Sequence, residues 1–294
     1  MRVALLHNSS SGSEDHDDAE LGELIRSAGH QLVHVVHRVG ELTAALHADP
    51  CDLVVVAGGD GTVGRAACEL SGWPVSLSIL ALGTANNTAR SLNLPVVHEQ
   101  VARTWQGARR MPFDIGLISD GALRRRFAEA VGWGIFPAAI ADAKSRTSPN
   151  SVSRTLKRDR KLFRSKARTA SSSDYRIELD GRDLSGAYLL VEIMNVPLLG
   201  PRLPLSPTSD PADGVFELVL AADEHRPALE QLATNGSVSD AIPPRIERGA
   251  RIRVETSEAV MHCDGRLWRH DVGRRTYDVD VEAGAVHFLA DAPT

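Results

Sequence analysis

The stretch LVVVAGGDGTVGRAACEL, residues 53–70, carries most of the information about the fold. Its first five residues are all apolar, which is typical of a central strand buried on both faces of a parallel sheet. Gly58, Gly59 and Gly61 follow, and a helical pattern begins after them. Glycines in such a turn let several backbone N–H groups converge on one anion, and the helix N-terminus adds about half a positive charge. The stretch therefore predicts a strand, a phosphate-binding loop and a helix.

Apolar strand patterns alternate with helical patterns on both sides of this stretch, which predicts a parallel sheet with covered faces. The other expected strands are residues 2–6, 31–36, 77–82 and 115–118. The expected helices are residues 20–28 and 42–47, stretches after 61 and after 87, and residues 97–106. A chain of 294 residues has room for two domains. We predict that residues 1–120 form a Rossmann-like parallel α/β domain that binds a nucleotide.

After about residue 121 the pattern changes to short apolar segments separated by glycine and proline turns. The expected strands are residues 175–179, 187–194, 215–220, 252–255, 277–281 and 286–289. Such spacing is typical of antiparallel strands, so residues 121–294 are expected to form a C-terminal β-sandwich-like domain. The last strands have an alternative, which is to return to the first domain. A cleft between the two domains is the expected place for a substrate.

Composition excludes several classes of protein. The net charge of −5 argues against nucleic-acid binding, and the three cysteines form no disulfide framework. No apolar run is long enough to span a bilayer and no apolar signal-peptide core follows Met1, so a cytoplasmic protein is expected. Residues 154–168 hold eight basic residues and one acid, which fits either a solvated helix face or contact with an anionic membrane.

Asp60 lies inside the expected phosphate loop. A carboxylate there repels phosphate unless a cation lies between them or the carboxylate accepts a proton from the nucleophile. Both cases belong to phosphoryl transfer. Asp60 is therefore the candidate catalytic residue, either holding Mg²⁺ directly or through water, or polarising an attacking hydroxyl.

Two other phosphate loops do not fit these residues. Gly59, Gly61 and Gly64 match the G-x-G-x-x-G spacing of dinucleotide-binding proteins, but that site also needs an acid about 20 positions later for the ribose. No Asp or Glu stands between Glu69 and Glu99. A Walker A loop needs a lysine after its last glycine, and none follows Gly64.

A second motif follows the glycine loop, and the two are interpreted together. GGDGT at residues 58–62, followed by ALGTANNTARSL at 81–92, resembles the bacterial diacylglycerol kinase and lipid kinase family, which is related to sphingosine kinases and more remotely to NAD kinases. Further similar segments are Asn8 with Ser11-Gly12, FDIGLI at 113–118, residues 195–200, Pro207 and Asp213-Gly214. The resemblance implies an ATP-dependent lipid kinase that transfers the γ-phosphate to a hydroxyl of diacylglycerol or a similar lipid. A lipid substrate implies an encounter with a membrane surface, at its inner face for a cytoplasmic protein.

The resemblance also implies roles for particular residues. Those expected to bind ATP are Asn8, Gly58, Gly59, Asp60, Gly61, Thr62, Gly64, Gly83, Thr84 and Asn86. Those expected to hold Mg²⁺ are Asp210, Asp213 and the backbone carbonyl of Val215. From the residues alone, Thr84 and Asn86 have a second interpretation as caps of the helix that begins near Asn87.

Four positions depart from the family pattern. Gly64 replaces an asparagine, Asn87 replaces an aspartate, and His37 stands about where the family has a nucleotide-contacting threonine, near the end of the second strand. In MHCDGRLW, 261–268, Arg266 stands where the family has a glutamate expected to act as base toward the lipid. Arginine cannot serve as a base.

Arg266 leaves three interpretations open. Asp60 or Asp264 accepts the proton instead, Arg266 binds an anionic acceptor, or Arg266 is a solvated turn residue. The function has alternatives too, namely a nucleotide- or lipid-binding homologue without activity, or a kinase with a soluble acceptor like the NAD kinases. The eleven histidines show no paired-ligand spacing, so none is expected to bind metal. The oligomeric state stays open, with a homodimer as one alternative.

Overall fold

The computed structural model describes residues 1–8, 16–95, 97–147, 149, 151–271 and 273–290. The chain divides into unit 1, Met1–Ile115 with Ala283–Thr294, and unit 2, Gly116–Glu282. The chain enters unit 2 inside one strand and leaves it inside another.

Unit 1 alternates strands and helices around a parallel sheet. Its elements are β1 (Arg2–His7), α1 (Asp18–Ser27), β2 (Gln31–Val36), α2 (Leu42–Ala48), β3 (Leu53–Gly58), α3 (Asp60–Glu69), β4 (Ser76–Ala81), α4 (Asn87–Ser91), α5 (His98–Thr104) and β5 (Arg109–Ser119), which continues into unit 2. The parallel strands follow the order β4-β3-β1-β2, and residues 287–288 of the last strand pair in parallel beside β4. This is the Rossmann-like α/β arrangement expected from the sequence.

Burial explains why these segments take these structures. All six residues of β3 are buried, as a strand covered on both faces requires. Helix α1 begins where the side chain of Asp17 accepts the N–H of Glu20 at 2.8 Å, and it packs Leu21 and Ile25 into the core beside the sheet.

Unit 2 consists mainly of antiparallel strands with helices on one side. Its elements are β6 (Arg124–Phe127), β7 (Ala130–Gly134), α6 (Ile135–Lys144), α7 (Val152–Thr169), β8 (Ser173–Leu179), β9 (Arg182–Asp183), β10 (Gly186–Tyr188), β11 (Leu190–Met194), β12 (Phe216–Ala221), α8 (Arg226–Asn235), β13 (Arg245–Gly249), β14 (Arg251–Thr256), β15 (Val260–Cys263), β16 (Arg266–Arg269) and β17 (Arg275–Ala290), which continues into unit 1. One sheet contains the strands β10-β8-β14-β17, and the other has the order β13-β12-β11-β7-β15-β16.

Two apolar layers hold unit 2 together. Between the sheets lie Trp133, Phe216 and Tyr277, and on the far face of the second sheet Phe136 and Phe163 pack among helical residues. Strand β11 serves both layers, because alternate residues of a strand point to opposite faces. The β-sandwich-like prediction is confirmed, with a helical layer added to it.

Two predictions about strands were wrong, and two helices of unit 2 were not predicted. The segments 277–281 and 286–289 are one strand, β17, with Gly284 at a φ of 58° inside it. Residues 187–194 are two strands in different sheets, divided at Leu189. Helices α6 and α8 were not expected, because their patterns are short and α6 follows β7 without a turn.

None of the described helices has the length and the apolar character needed to cross a membrane.

Candidate active site

Polar residues gather at one edge of the unit 1 sheet, where its parallel strands end. Strand β1 ends at His7 and is followed by Asn8, β3 ends at Gly58, and β4 is followed by Leu82 and Gly83. The chain runs outward from β1 to β2 and then crosses to β3 on the other side of β1. Ligands of open α/β sheets bind at such a switch point, outside the carboxyl ends of the strands. The candidate nucleotide-binding residues therefore lie where this fold binds ligands.

The two glycine-containing loops meet backbone to backbone. A Cβ on Gly59 would lie 3.0 Å from the Cα of Gly83, and a Cβ on Gly83 would overlap the Cα of Gly59. The N–H of Leu82 also donates to the carbonyl of Gly58 at 3.1 Å. Glycine is required at both positions because only a residue without a Cβ permits this approach.

Asn8 joins the first loop to the start of α3. Its side-chain N–H donates to Thr62 Oγ1 at 2.8 Å, and its backbone N–H donates to the carbonyl of Ala57 at 3.1 Å. The structure thus brings Asn8 and Thr62 together, as the candidate site requires.

Asp60 connects the first loop to the second. It is the first residue of α3, where a negative charge is favoured by the helix dipole. Its Oδ1 accepts the backbone N–H of Thr88, at 3.2 Å. The Asp60 carboxylate therefore joins the first turn of α3 to the first turn of α4, the helices that follow the two loops.

Asn86 does not cap α4, so that interpretation of its side chain is wrong. The residue takes a left-handed conformation, with φ 54° and ψ 47°, and its side chain turns back toward the strand end. Its Oδ1 accepts the N–H of Gly83 at 2.9 Å, and its Nδ2 donates to the carbonyls of Gly83 at 2.9 Å and Ala81 at 3.2 Å. Asn86 therefore shapes the second loop.

The remaining candidates of unit 1 differ in exposure. Gly61 is exposed, Thr84 is half-buried, and Gly64 is buried inside α3. Gly61 and Thr84 are open to a ligand, whereas Gly64 serves the packing of its helix.

In unit 2, Asp264 forms the turn between β15 and β16. Its Oδ2 accepts the N–H of Ala128 at 2.8 Å, and its Oδ1 accepts those of Glu129 at 2.8 Å and Ala130 at 3.2 Å. Burial raises the pKa of the Asp264 carboxyl, against these N–H groups, which lower it. The carboxylate ties the turn to the start of β7.

Replacing Asp264 with alanine is expected to lower the free energy of unfolding by about 3 kcal/mol, because three backbone N–H groups lose their acceptor. Urea unfolding of Asp264→Ala measures the effect. Asp174→Ala, which removes an exposed carboxylate on β8, is the control and is expected to change it by less than about 0.5 kcal/mol. Equal effects of the two substitutions would contradict this role.

The chain is similar to known proteins in both sequence and fold. A family model described as the diacylglycerol kinase catalytic domain matches residues 2–118. A probable YegS-like lipid kinase from Pectobacterium atrosepticum is 30% identical over 293 residues, which cover 89% of this chain and 94% of the relative. The chain belongs to the diacylglycerol kinase family of lipid kinases.

One further relative and one solved structure are similar to this chain, the second in its fold. A diacylglycerol kinase from Mycobacterium tuberculosis is 28% identical over 276 residues, covering 86% of this chain and 81% of that protein. A crystal structure of a diacylglycerol kinase from Bacillus anthracis matches the fold with a TM-score of 0.71 at 19% identity, covering 99% of this chain and 97% of that one. The resemblance inferred from the two loops is confirmed. Ser11-Gly12, part of that resemblance, lies outside the described residues.

Arg266, at the position where the family is expected to have its base, is an exposed residue at the start of β16. Its guanidinium lies over the ring of Trp268, 4.8 Å from the ring centroid, and that of Arg125 lies 4.4 Å from the same centroid. Among the described residues, neither arginine has a carboxylate within ion-pair distance. Arg266 is thus an exposed cation stacked on an indole ring, and the interpretations of its role stay predictions.

The carboxylates implied for Mg²⁺ both have hydrogen-bond partners within the protein. Asp210 and Asp213 each accept a backbone N–H two residues later, from Ala212 at 3.0 Å and Val215 at 3.2 Å. The Asp213 carboxylate also contacts the guanidinium of Arg248. A carboxylate already paired with a cation is a poorer ligand for a second one. Arg248 would compete with Mg²⁺ for the Asp213 carboxylate, and the assignment of these residues to Mg²⁺ stays a prediction.

The same sheet edge carries ionisable residues that the sequence analysis did not select. His7 ends β1, Asp18 begins α1, and His37 follows β2. The available signals were the places of His7 at the end of the buried strand β1 and of His37 directly after β2, because the carboxyl ends of parallel strands form the ligand-binding edge.

Proposed function

We propose that this protein is an ATP-dependent lipid kinase, which transfers the γ-phosphate of ATP to a hydroxyl of diacylglycerol or a similar lipid. The observation that carries the proposal is the meeting of the GGDGT loop with the Gly83 loop at the carboxyl ends of β3 and β4, where Asp60 also accepts the N–H of Thr88 in α4. Backbone N–H groups in such loops stabilise phosphate charge without a lysine.

In this proposal the nucleotide phosphates bind at the first loop and the start of α3. Thr62 and Asn8, which are hydrogen-bonded to each other, hold the loop against β1. Gly61 and Thr84 supply groups that are open to the ligand. Mg²⁺ arrives with ATP and neutralises charge on the phosphates. Removal of one hydrogen-bond donor at such a site raises the free energy of the transition state by about 2.7 to 4 kcal/mol.

Transfer requires one bond to form and one to break. The lipid hydroxyl oxygen attacks the γ-phosphorus, the bond from that phosphorus to the bridging oxygen breaks, and ADP leaves. The hydroxyl proton needs an acceptor, and Arg266 cannot provide one. Asp264 already accepts three backbone N–H bonds, so Asp60 is the better candidate. Asp264 then acts by positioning the β15–β16 turn.

A lipid acceptor requires contact with a membrane, and α7 is the proposed surface. Its buried side carries Leu162, Phe163 and Ala167. Arg154, Lys157 and Lys161 are exposed and follow the spacing of one helix face. Such a basic face favours anionic lipid headgroups.

The direct test is transfer of labelled γ-phosphate from ATP with Mg²⁺ to diacylglycerol, monoacylglycerol, sphingosine, ceramide and phosphatidylglycerol in mixed micelles. A labelled lipid that requires intact Asp60 supports the proposal and identifies the acceptor class. Binding of ATP without transfer to any acceptor favours the alternative of a binding protein. Labelling of NAD, with no lipid labelled, favours a soluble acceptor.

Substituting Arg266 with glutamate is expected to change the choice of acceptor more than the binding of ATP. Arg266 and Arg125 together present two cations without a carboxylate partner among the described residues, an arrangement that favours an anionic acceptor. In Arg266→Glu, transfer to phosphatidylglycerol should fall by about tenfold relative to diacylglycerol, which corresponds to loss of about 1.4 kcal/mol of charge attraction. Arg266→Gln separates loss of the cation from gain of a base. An unchanged acceptor ratio in both variants would contradict this role of the cation.

A further inference from the structure

We propose that His7, Asp18 and His37 form a binding site for a divalent transition-metal ion of the Zn²⁺ class. The site is separate from the Mg²⁺ that accompanies ATP, and the inference does not depend on the proposed kinase activity. The chain gives no hint of it in local spacing, since the three residues are brought together from β1, the start of α1 and the residue after β2.

The geometry of the three side chains suits a metal ion. Their ligand atoms all lie within 4.8 Å of one another. His7 Nδ1 is 2.6 Å from Asp18 Oδ1, and His37 Nε2 is 3.5 Å from Asp18 Oδ2. Ligand atoms around a tetrahedral Zn²⁺, each about 2.0 to 2.2 Å from the ion, are roughly 3.3 to 3.6 Å apart. His7 is buried at the strand end and the other two side chains are exposed, so a bound ion would replace the hydrogen bond between His7 Nδ1 and Asp18 Oδ1 as the Asp18 carboxylate turns.

The hydrogen bonds of His37 give a second, independent reason. Its Nδ1 lies 3.3 Å from the backbone carbonyl of His7. A carbonyl oxygen only accepts, so Nδ1 carries the proton, and in the neutral ring the lone pair of Nε2 then faces the Asp18 carboxylate. Two acceptors facing each other need a cation between them or a second proton on the ring. Metal-binding histidines are typically oriented in this way, by an N–H donated to a carbonyl from the nitrogen that does not bind the metal.

The donor set selects the class of ion. Two imidazole nitrogens and one carboxylate suit Zn²⁺, Co²⁺ or Ni²⁺, whereas Mg²⁺ and Ca²⁺ prefer oxygen ligands. Three protein ligands also leave a coordination position open, as in sites where a metal binds an exchangeable ligand. Asn8, which follows His7 directly, is hydrogen-bonded to Thr62, so a bound ion would lie at the same sheet edge as the phosphate-binding loops.

The test is metal binding by the full-length protein, produced without a histidine tag and freed of metal with a chelator. Zn²⁺ is titrated by calorimetry, and Co²⁺ is followed by its visible absorption, which reports nitrogen and oxygen ligands directly. The expected result is one saturable site per chain for each ion, with Mg²⁺ failing to compete. No saturable binding of either ion would overturn the inference.

The variants His37→Ala and Asp18→Asn are each expected to weaken Zn²⁺ binding by at least about tenfold. Both side chains are exposed, so the fold should survive, and circular dichroism checks this. His34→Ala is the matched control, because His34 lies on β2 three positions before His37 and outside the cluster. An equal loss in His34→Ala, or no loss in the two variants, would show that the ion binds elsewhere.

Discussion

Replacement of Asp60 with asparagine is expected to lower kcat for phosphoryl transfer by about 10²- to 10⁴-fold. The carboxylate joins the first turns of α3 and α4, where it is the candidate to accept the hydroxyl proton or to interact with the nucleotide's Mg²⁺. Asparagine keeps an oxygen that can accept the N–H of Thr88, so this contact is retained while the charge and the basicity are lost. The fold should therefore be unchanged.

The measurement is labelled phosphate transfer to the most active lipid of the panel, with thermal unfolding as the check on the fold. Asp60→Ala is the informative partner, because it removes the acceptor of the Thr88 N–H as well as the charge. We expect it to lower the unfolding midpoint, which Asp60→Asn should not do. Wild-type kcat in Asp60→Asn would exclude a catalytic role for this carboxylate.

Replacement of Gly83 with alanine is expected to separate the two loops and to raise the KM for ATP. The new Cβ would overlap the Cα of Gly59 and lie 2.6 Å from Asn86 Oδ1, so both loops must move. Overpacking of this kind costs about 1 to 3 kcal/mol. Since the second loop is held by the same Asn86 oxygen, the displacement disturbs the N–H of Gly83 as well.

Two measurements test the prediction for Gly83→Ala. Calorimetry gives the affinity for ATP, and urea titration gives the free energy of unfolding. Gly40→Ala is the matched control, because a Cβ there meets nothing within 4 Å. We expect Gly40→Ala to leave both quantities unchanged. Equal ATP affinity in Gly83→Ala and the wild type would mean that the contact between the loops is not needed for the nucleotide.

Local pattern predicted unit 1 well because its strands are continuous in sequence and buried on both faces. The run LVVVA was predicted as a strand over 53–57 and forms the strand Leu53–Gly58. The alternation of apolar and polar residues failed to predict β17, which was expected to be two separate strands. Gly284 takes a positive φ inside β17. In the sequence, a glycine at this position is typical of the end of a strand.

The sequence predicted which segments form the candidate site. It did not predict which residues of these segments are in contact. The pattern indicated that both loops follow strands, and it could not indicate that Gly59 touches Gly83, because this depends on the pairing of Gly58 with Ala81 in neighbouring strands. The same limit applies to Asp264. Its N–H donors lie about 135 positions earlier in the chain, and the pairing of β15 with β7 brings them together.

A buried histidine and glutamate that are hydrogen-bonded in unit 2 also depend on the pairing of distant strands. His262 Nε2 lies 2.7 Å from Glu192 Oε2, and both side chains are fully buried. Burial raises the pKa of the Glu192 carboxyl. Gly132 lies between the two strands in register with both residues, and a Cβ there would overlap the carboxylate of Glu192. Glu192, His262 and Gly132 lie on three separate strands, so no sequence motif indicates that they are in contact.

The route of the chain has a consequence for the order of folding during synthesis. Unit 1 includes residues 283–290, and Phe288 pairs with Leu77 and packs its ring 5.1 Å from that of Phe113. Asp114 also accepts the N–H of Gly284, at 2.6 Å. Domains usually fold in the order in which the ribosome releases them. Here the first 115 residues emerge first but lack their last strand, so unit 1 is completed only after unit 2 has been made.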